Sequence, residues 1–201
     1  MKKINIIYDS TMLIHVFSKG HDRSGVFFVV YNILKELGKD MRFKIYLYMP
    51  QELFHVVPSI KRDRLLQQFT FFTVPSVPPR QRADIHESHK KNAGDIVLFA
   101  LRIIKNYWRL FCGIFCCFGY KDILKHTNIF FSPFHAIPDI IKKYSHIKTY
   151  MILYDTMPLN FPFYYPDINV NDINDWYGKI LAGLNKETYY FCISECTKND
   201  F

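Results

Sequence analysis

Several short apolar runs of the sequence are followed by side chains that could do chemistry. Asp155 comes directly after one such run, residues 149–153, and Pro158 follows three positions later. A carboxylate in this position could orient a sugar hydroxyl or take part in acid–base chemistry. The alternative is structural, because an aspartate also caps the turn that precedes a proline.

Hydroxyl, imidazole and carboxylate groups follow two other apolar runs. Ser132 and His135 come after one run, and Ser194 and Glu195 come after another. In open α/β sheets ligands bind outside the carboxyl ends of the strands, which makes these positions candidates for a binding site. The alternative for a single histidine is a structural role. The spacing indicates neither a catalytic triad nor a metal cluster, so we expect no bound metal.

A helix start offers a further candidate site. Residues 24–37 carry apolar side chains at helical spacing, with Ser24 as the expected N-cap and Gly38 as the expected residue after the helix. Free N–H groups at a helix start can hold phosphate, and Gly25 would let a ligand approach the backbone closely. The alternative is an ordinary capped helix start.

The apolar runs that position these residues are typical of buried strands. Several are continuous rather than alternating, which is typical of a parallel sheet buried on both faces. The opening order of strand, loop, helix and strand forms a βαβ unit. The sequence therefore predicts the α/β class, with a Rossmann-like parallel sheet flanked by helices in a single domain of residues 1–201. The strands are expected at residues 4–8, 43–48, 69–74, 128–131, 149–153 and 189–193.

Two central segments differ from the remainder in composition. Residues 75–93 contain prolines and basic residues and predict a loop, whereas residues 95–118 predict an amphipathic hydrophobic helix. Three interpretations of this helix remain open, and one of them is contact with a protein partner. It lies on an anionic membrane surface, or it covers the sheet while its basic side chains reach solvent. The residues expected at the membrane surface are Arg102, Lys105, Trp108 and Arg109.

The composition limits the classes of function. The chain of 201 residues is 49% hydrophobic and can bury a core, and its net charge of +8 favours anionic partners. The basic residues are scattered without a recognised binding motif, so we expect no nucleic-acid partner. The five cysteines lack the spacing of a zinc site or a disulfide framework, and are expected as reduced thiols in a cytosolic protein.

Four segments, in order, resemble the N-terminal domain of family-four glycosyltransferases, which have the GT-B fold, are retaining and use nucleotide sugars. The first is Asp9 after the first strand, and the second is residues 23–26, similar to the family's glycine loop. The third is residues 154–158, similar to a family segment in which histidine is usual where Tyr154 stands. The fourth is residues 193–201, similar to the strand and helix before the interdomain crossover.

The resemblance implies transfer of a hexose from a nucleoside-diphosphate sugar to a glycan or lipid-linked acceptor, in the biosynthesis of surface polysaccharide such as lipopolysaccharide. Asp155 and Tyr154 are the implied catalytic residues, and Gly25 would lie near the donor phosphates. No cofactor is expected, because the sugar nucleotide is itself the donor substrate. The residues implied to bind substrate are Ser24, Gly25, Ser132, His135, Ser194 and Glu195.

In this family a second, C-terminal domain supplies most of the nucleotide pocket. The sequence therefore predicts a truncated glycosyltransferase that is incomplete or inactive alone. The resemblance also implies a cytoplasmic protein, with peripheral attachment to the inner membrane face if the basic helix binds lipid. A second hypothesis stays open, in which the chain is a non-enzymatic Rossmann-like module that binds a glycan, a membrane surface or a partner enzyme.

Overall fold

The fold is built around one parallel sheet. The computed structural model describes residues 3–19, 25–74, 119–161, 163 and 170–201. Within them a six-stranded sheet has the order β3-β2-β1-β4-β5-β6, and every neighbouring pair is parallel. The predicted α/β class with a Rossmann-like parallel sheet is confirmed. The strands are β1 (Ile4–Asp9), β2 (Phe43–Tyr48), β3 (Thr70–Phe72), β4 (Ile129–Ser132), β5 (Lys148–Leu153) and β6 (Thr188–Cys192).

Helices flank the sheet in the part of the chain that the structure describes. Two short 3₁₀ segments, Gln51–Val56 and Leu66–Gln68, join β2 to β3 together with a short α-helix at Val57–Ile60. The α-helices are α1 (Thr11–Lys19), α2 (Gly25–Lys39), α3 (Val57–Ile60), α4 (Tyr120–His126), α5 (Asp139–Lys142), α6 (Met157–Asn160), α7 (Val170–Gly183) and α8 (Glu195–Asp200).

Strand β1 shows why the apolar runs are continuous. Ile6, Ile7 and Tyr8 are all buried. Ile6 and Tyr8 belong to the core that also contains Leu13 and Phe27 of α1 and α2. Ile7 points to the opposite side and belongs to the second core. Because both faces of the strand are covered, no alternation with polar residues is needed.

Two sequence-based expectations about the first helical region are wrong. The stretch after β1 was expected to be a loop, but Thr11–Lys19 form α1. Leu13, Ile14 and Val16 of this helix are buried against the sheet, and tertiary packing stabilises so short a helix. Gly38 was expected after the helix end, but it lies inside α2, where an added Cβ would come within 2.9 Å of the Phe69 ring.

The predicted loop at residues 75–93 and the predicted helix at residues 95–118 lie outside the described residues. The same holds for the membrane-surface prediction that rests on Arg102, Lys105, Trp108 and Arg109. Among the helices that the structure does describe, none combines the length and apolar character required to cross a membrane.

Candidate functional site

The candidate site lies at the carboxyl edge of the sheet, where the strand order reverses between β1 and β4. Asp9 is the last residue of β1 and its side chain is 2% exposed. One carboxylate oxygen, Oδ1, accepts hydrogen bonds from the Thr11 backbone N–H at 3.0 Å and from the Thr11 hydroxyl at 2.6 Å. These bonds anchor the start of α1 and leave Oδ2 directed toward β4.

His135 approaches Asp9 from the end of β4. The Ser132 hydroxyl donates to the His135 backbone carbonyl, which closes the turn that follows the strand. The Ser132 oxygen lies 3.5 Å from Asp9 Oδ2, and His135 Nδ1 lies 3.6 Å from the same oxygen. At 3.6 Å the carboxylate–imidazole contact is longer than a hydrogen bond and is chiefly electrostatic. The His135 side chain is 27% exposed, so this pair reaches the surface through its imidazole.

The electrostatics of the pair favour a charged Asp9. Burial by itself raises the pKa of the Asp9 carboxyl, but its polar contacts with His135 and Thr11 outweigh burial and leave that pKa below its ordinary value. Burial, with the Asp9 charge as the next cause, raises the pKa of Tyr8 and of Tyr48. Near pH 7 the site therefore holds one buried carboxylate among neutral phenols.

This arrangement can hold an imidazole in one orientation. A carboxylate facing Nδ1 favours a proton on that nitrogen, which leaves Nε2 of His135 as the proton acceptor. A ligand hydroxyl within hydrogen-bond reach of Nε2 could then transfer its proton to the ring. Asp9 would act through His135, as a positioning residue.

Aromatic rings surround Phe134, the residue before His135. The Phe134 ring stacks on Trp176 of α7 with centroids 4.7 Å apart, and it meets the Tyr154 ring at 5.5 Å and the His135 ring at 5.0 Å. The Trp176 ring in turn meets the Tyr177 ring at 4.5 Å. Helix α7 thus places two aromatic side chains beside the residues that follow β4 and β5.

The structure places Tyr154 and Asp155 differently from each other. Tyr154 belongs to the aromatic cluster around Phe134, and burial raises its pKa to about 12. The Asp155 carboxylate accepts a hydrogen bond of 3.0 Å from the Met157 backbone N–H. The backbone carbonyl of Asp155 accepts a hydrogen bond from the Tyr177 hydroxyl. Asp155 therefore makes the turn-capping contact that the sequence offered as the alternative to a catalytic role.

Ser194 and Glu195 lie beside β6. Ser194 is the N-cap of α8 and accepts a hydrogen bond of 3.0 Å from the Thr197 N–H, while Glu195 pairs with Lys198 at 3.3 Å. Both line a shallow groove of about 510 Å³ together with Tyr190 and Lys198. The groove walls bring together neither a carboxylate–imidazole pair nor the aromatic cluster, so we assign the candidate site to the β1–β4 edge.

The glycine loop is the predicted site about which the structure says least. Ser24 lies outside the described residues. Gly25 is exposed at the first residue of α2, and a Cβ added there would meet nothing within 4 Å. The protein's own packing therefore does not require glycine at this position. The predicted phosphate contact stays a prediction.

Fold and site together define a class: a Rossmann-like α/β domain with a carboxylate–imidazole pair at the reversal of strand order. Comparisons with models of known protein families, with curated proteins and with solved structures find no match. Within the described residues, no group of three or more His, Cys, Asp and Glu side chains is placed to hold a metal ion. The glycosyltransferase family stays a prediction from resemblance.

Proposed function

We propose that this domain forms the acceptor side of a glycosyltransferase that transfers a hexose from a nucleoside-diphosphate sugar to a glycan or lipid-linked acceptor in surface-polysaccharide biosynthesis. The observation that carries the proposal is the Asp9–His135 pair. It lies at the carboxyl edge of a parallel sheet where the strand order reverses, and open α/β sheets bind ligands there.

In this proposal His135 contacts the acceptor hydroxyl. The bond between hexose C1 and the diphosphate oxygen breaks, the bond between C1 and the acceptor oxygen forms on the same face of the sugar, as the retaining family implies, and His135 Nε2 takes the acceptor proton. Asp9 holds the imidazole and stabilises its charge after proton transfer. The nucleoside diphosphate leaves, held chiefly by a C-terminal domain as the family resemblance implies. The described residues form the opposite wall of the cleft.

The test is hexose transfer from a panel of labelled nucleotide sugars to glycan and lipid extracts, by the chain expressed together with a C-terminal nucleotide-binding domain. We expect His135→Gln to lower the transfer rate about 100-fold or more, as for loss of a general base. His146→Gln is the matched control, because His146 contacts the Leu124 carbonyl at 3.2 Å and precedes the amino end of β5. Equal rates for the two variants, or no transfer with any donor, would contradict the proposal.

A lipid-linked acceptor would place the protein in the cytoplasm at the inner face of the membrane. This part of the proposal depends on the predicted basic helix at residues 95–118. Pelleting with anionic vesicles tests it, with Arg102, Lys105 and Arg109 changed to Glu. Binding by the wild type that is lost in the folded triple variant supports the surface helix, whereas equal pelleting of both proteins contradicts it.

A second candidate is a non-enzymatic module that binds a glycan. This candidate is favoured by the Asp155 carboxylate, because an implied catalytic residue instead accepts a hydrogen bond that caps a turn. The two candidates differ in turnover. Saturable glycan binding by the full-length protein, without transfer from any nucleotide sugar, would favour the binding module.

A further inference from the structure

Strand β6 forms one edge of the sheet and directs backbone groups outward. The Ile193 N–H donates to the Leu153 carbonyl at 3.2 Å, so the residues at 189, 191 and 193 bond to β5. Tyr190 and Cys192 lie between them and therefore direct their N–H and C=O groups away from the sheet. Among the described residues, no backbone group pairs with these outward groups.

The β6 edge lacks the features that usually protect an edge strand. Natural proteins block such edges with charged side chains, prolines or bulges, or cover them with another element. Residues 188–194 contain neither a charged residue nor a proline. The shallow groove beside Ser194 and Glu195 is also lined by Phe191 and Cys192, whose side chains point to opposite faces of the sheet. The groove therefore follows the outer side of the strand and leaves it open to a further strand.

The exposed apolar side chains of this edge are centred on Phe191. Tyr189, Phe191 and Ile193 lie on one face of the sheet and are 54%, 52% and 51% exposed. The Tyr150 ring of β5 stacks on the Tyr189 ring with centroids 4.9 Å apart, and on the Phe191 ring at 6.1 Å. The apolar face thus extends from β5 to the outer edge of β6. Contiguous exposed patches of this kind mark interaction surfaces.

A second copy of β6 fits this edge in one register. In an antiparallel pair with a two-fold axis at Phe191, Tyr190 lies opposite Cys192 of the other copy, so the outward N–H and C=O groups meet. Phe191 then faces Phe191 of the other copy, and Tyr189 faces Ile193, so each exposed apolar side chain gains an apolar neighbour. The net charge of +8 opposes self-association in general, but residues 188–194 contribute none of it.

We propose that β6 pairs with β6 of a second copy in an antiparallel arrangement centred on Phe191, which forms a dimer with one continuous sheet. The carboxyl edges of the two sheets then point in opposite directions. The Asp9–His135 pair lies at β1 and β4, away from the paired edge. The inference is therefore independent of the proposed function.

Sedimentation equilibrium of the purified chain tests the dimer. We expect it to form below about 100 μM. Phe191→Lys places two cations opposite each other at the axis and should weaken the dimer about 100-fold or more. Phe28→Lys is the matched control, because Phe28 of α2 is exposed to a similar degree, 48%. Circular dichroism checks that both variants fold. A wild-type monomer up to about 100 μM would leave the edge to another partner and overturn the inference, as would equal effects of the two variants.

Cross-linking tests the register without adding a charge. Opposite residues outside the hydrogen-bonded pairs have Cα atoms about 4.5 Å apart, and a disulfide spans about 4.4–6.8 Å. Phe191→Cys should therefore form a disulfide-linked dimer on oxidation, beyond what the wild-type cysteines form. Tyr189→Cys is the control, because its counterpart lies four residues along the other strand, about 13 Å away. Equal cross-linking of the two variants, or none of Phe191→Cys above the wild-type level, would overturn the inference.

Discussion

The sharpest prediction concerns Asp9→Asn, which keeps the size of the side chain and removes its charge. The amide oxygen can still accept from the Thr11 N–H and hydroxyl, which lie at 3.0 and 2.6 Å from Oδ1. On the other side an NH₂ group replaces Oδ2, where the Ser132 oxygen lies at 3.5 Å and His135 Nδ1 at 3.6 Å. There a donor then faces the imidazole.

We expect this change to lower the free energy of unfolding by about 1.5–3 kcal/mol at pH 7, the range for hydrogen bonds to a charged group. The pH dependence follows from the lowered pKa of Asp9. Because the folded-state pKa lies below the unfolded value of about 4, the carboxylate stabilises the fold above about pH 4. That contribution is lost as the pH falls through the folded-state pKa, so the difference between wild type and variant should shrink in acid.

Urea unfolding followed by circular dichroism, at several pH values from neutral to acid, measures the difference. Asp63→Asn is the control, because Asp63 Oδ1 caps the Leu65 and Leu66 N–H groups at 2.9 and 3.1 Å, and the amide oxygen can replace it. We expect Asp63→Asn to cost less than about 1 kcal/mol. A difference for Asp9→Asn that is absent at pH 7, or unchanged in acid, would refute the reasoning.

Three further predictions follow from individual contacts. Burial raises the pKa of Tyr154 to about 12. Its neutral form therefore stabilises the fold up to about pH 10, and this contribution is lost as the pH rises further. Ultraviolet titrations of the wild type and of Tyr154→Phe should differ by one phenol that ionises late. Gly119, with φ of 86°, precedes α4, so Gly119→Ala should cost about 1–2 kcal/mol, whereas Gly178→Ala inside α7 should be neutral or stabilising in the same thermal unfolding assay. Thr188→Val leaves the Thr149 hydroxyl buried without its partner at 2.7 Å and should cost about 1–3 kcal/mol, with little added by Thr149→Val in a double-mutant cycle.

The sheet could be predicted from the sequence because its strands are buried on both faces. The six expected runs match the six strands to within two residues at each end, and β2 matches the expected range of 43–48. Helix α1 could not be predicted in the same way. Its residues 11–17 form an almost continuous apolar run, so the periodicity that marked α2 is hidden, and packing of Leu13 and Ile14 against the sheet decides its conformation.

The candidate site was predictable only in pieces. Ser132 and His135 were expected from their position after a strand, whereas Asp9 was only one position of the family resemblance and was not expected as a site residue. Their proximity depends on β1 pairing with β4 although β2 and β3 come between them in sequence, and 123 positions separate Ser132 from Asp9. Trp176 gave no signal, because an aromatic residue on an amphipathic helix ordinarily indicates core packing.

The departures from ordinary packing in this domain occur together. A charged carboxylate is fully buried at Asp9, and two buried donors, at Tyr154 and Trp176, have no acceptor among the described residues. If the cluster served only stability, apolar replacements would fill the same space without the desolvation of a charge or of two free donors. Natural sequences depart from local rules chiefly at functional sites. The concentration of these departures beside His135, where parallel sheets bind ligands, therefore favours a binding role for this carboxyl edge of the sheet over a purely structural one.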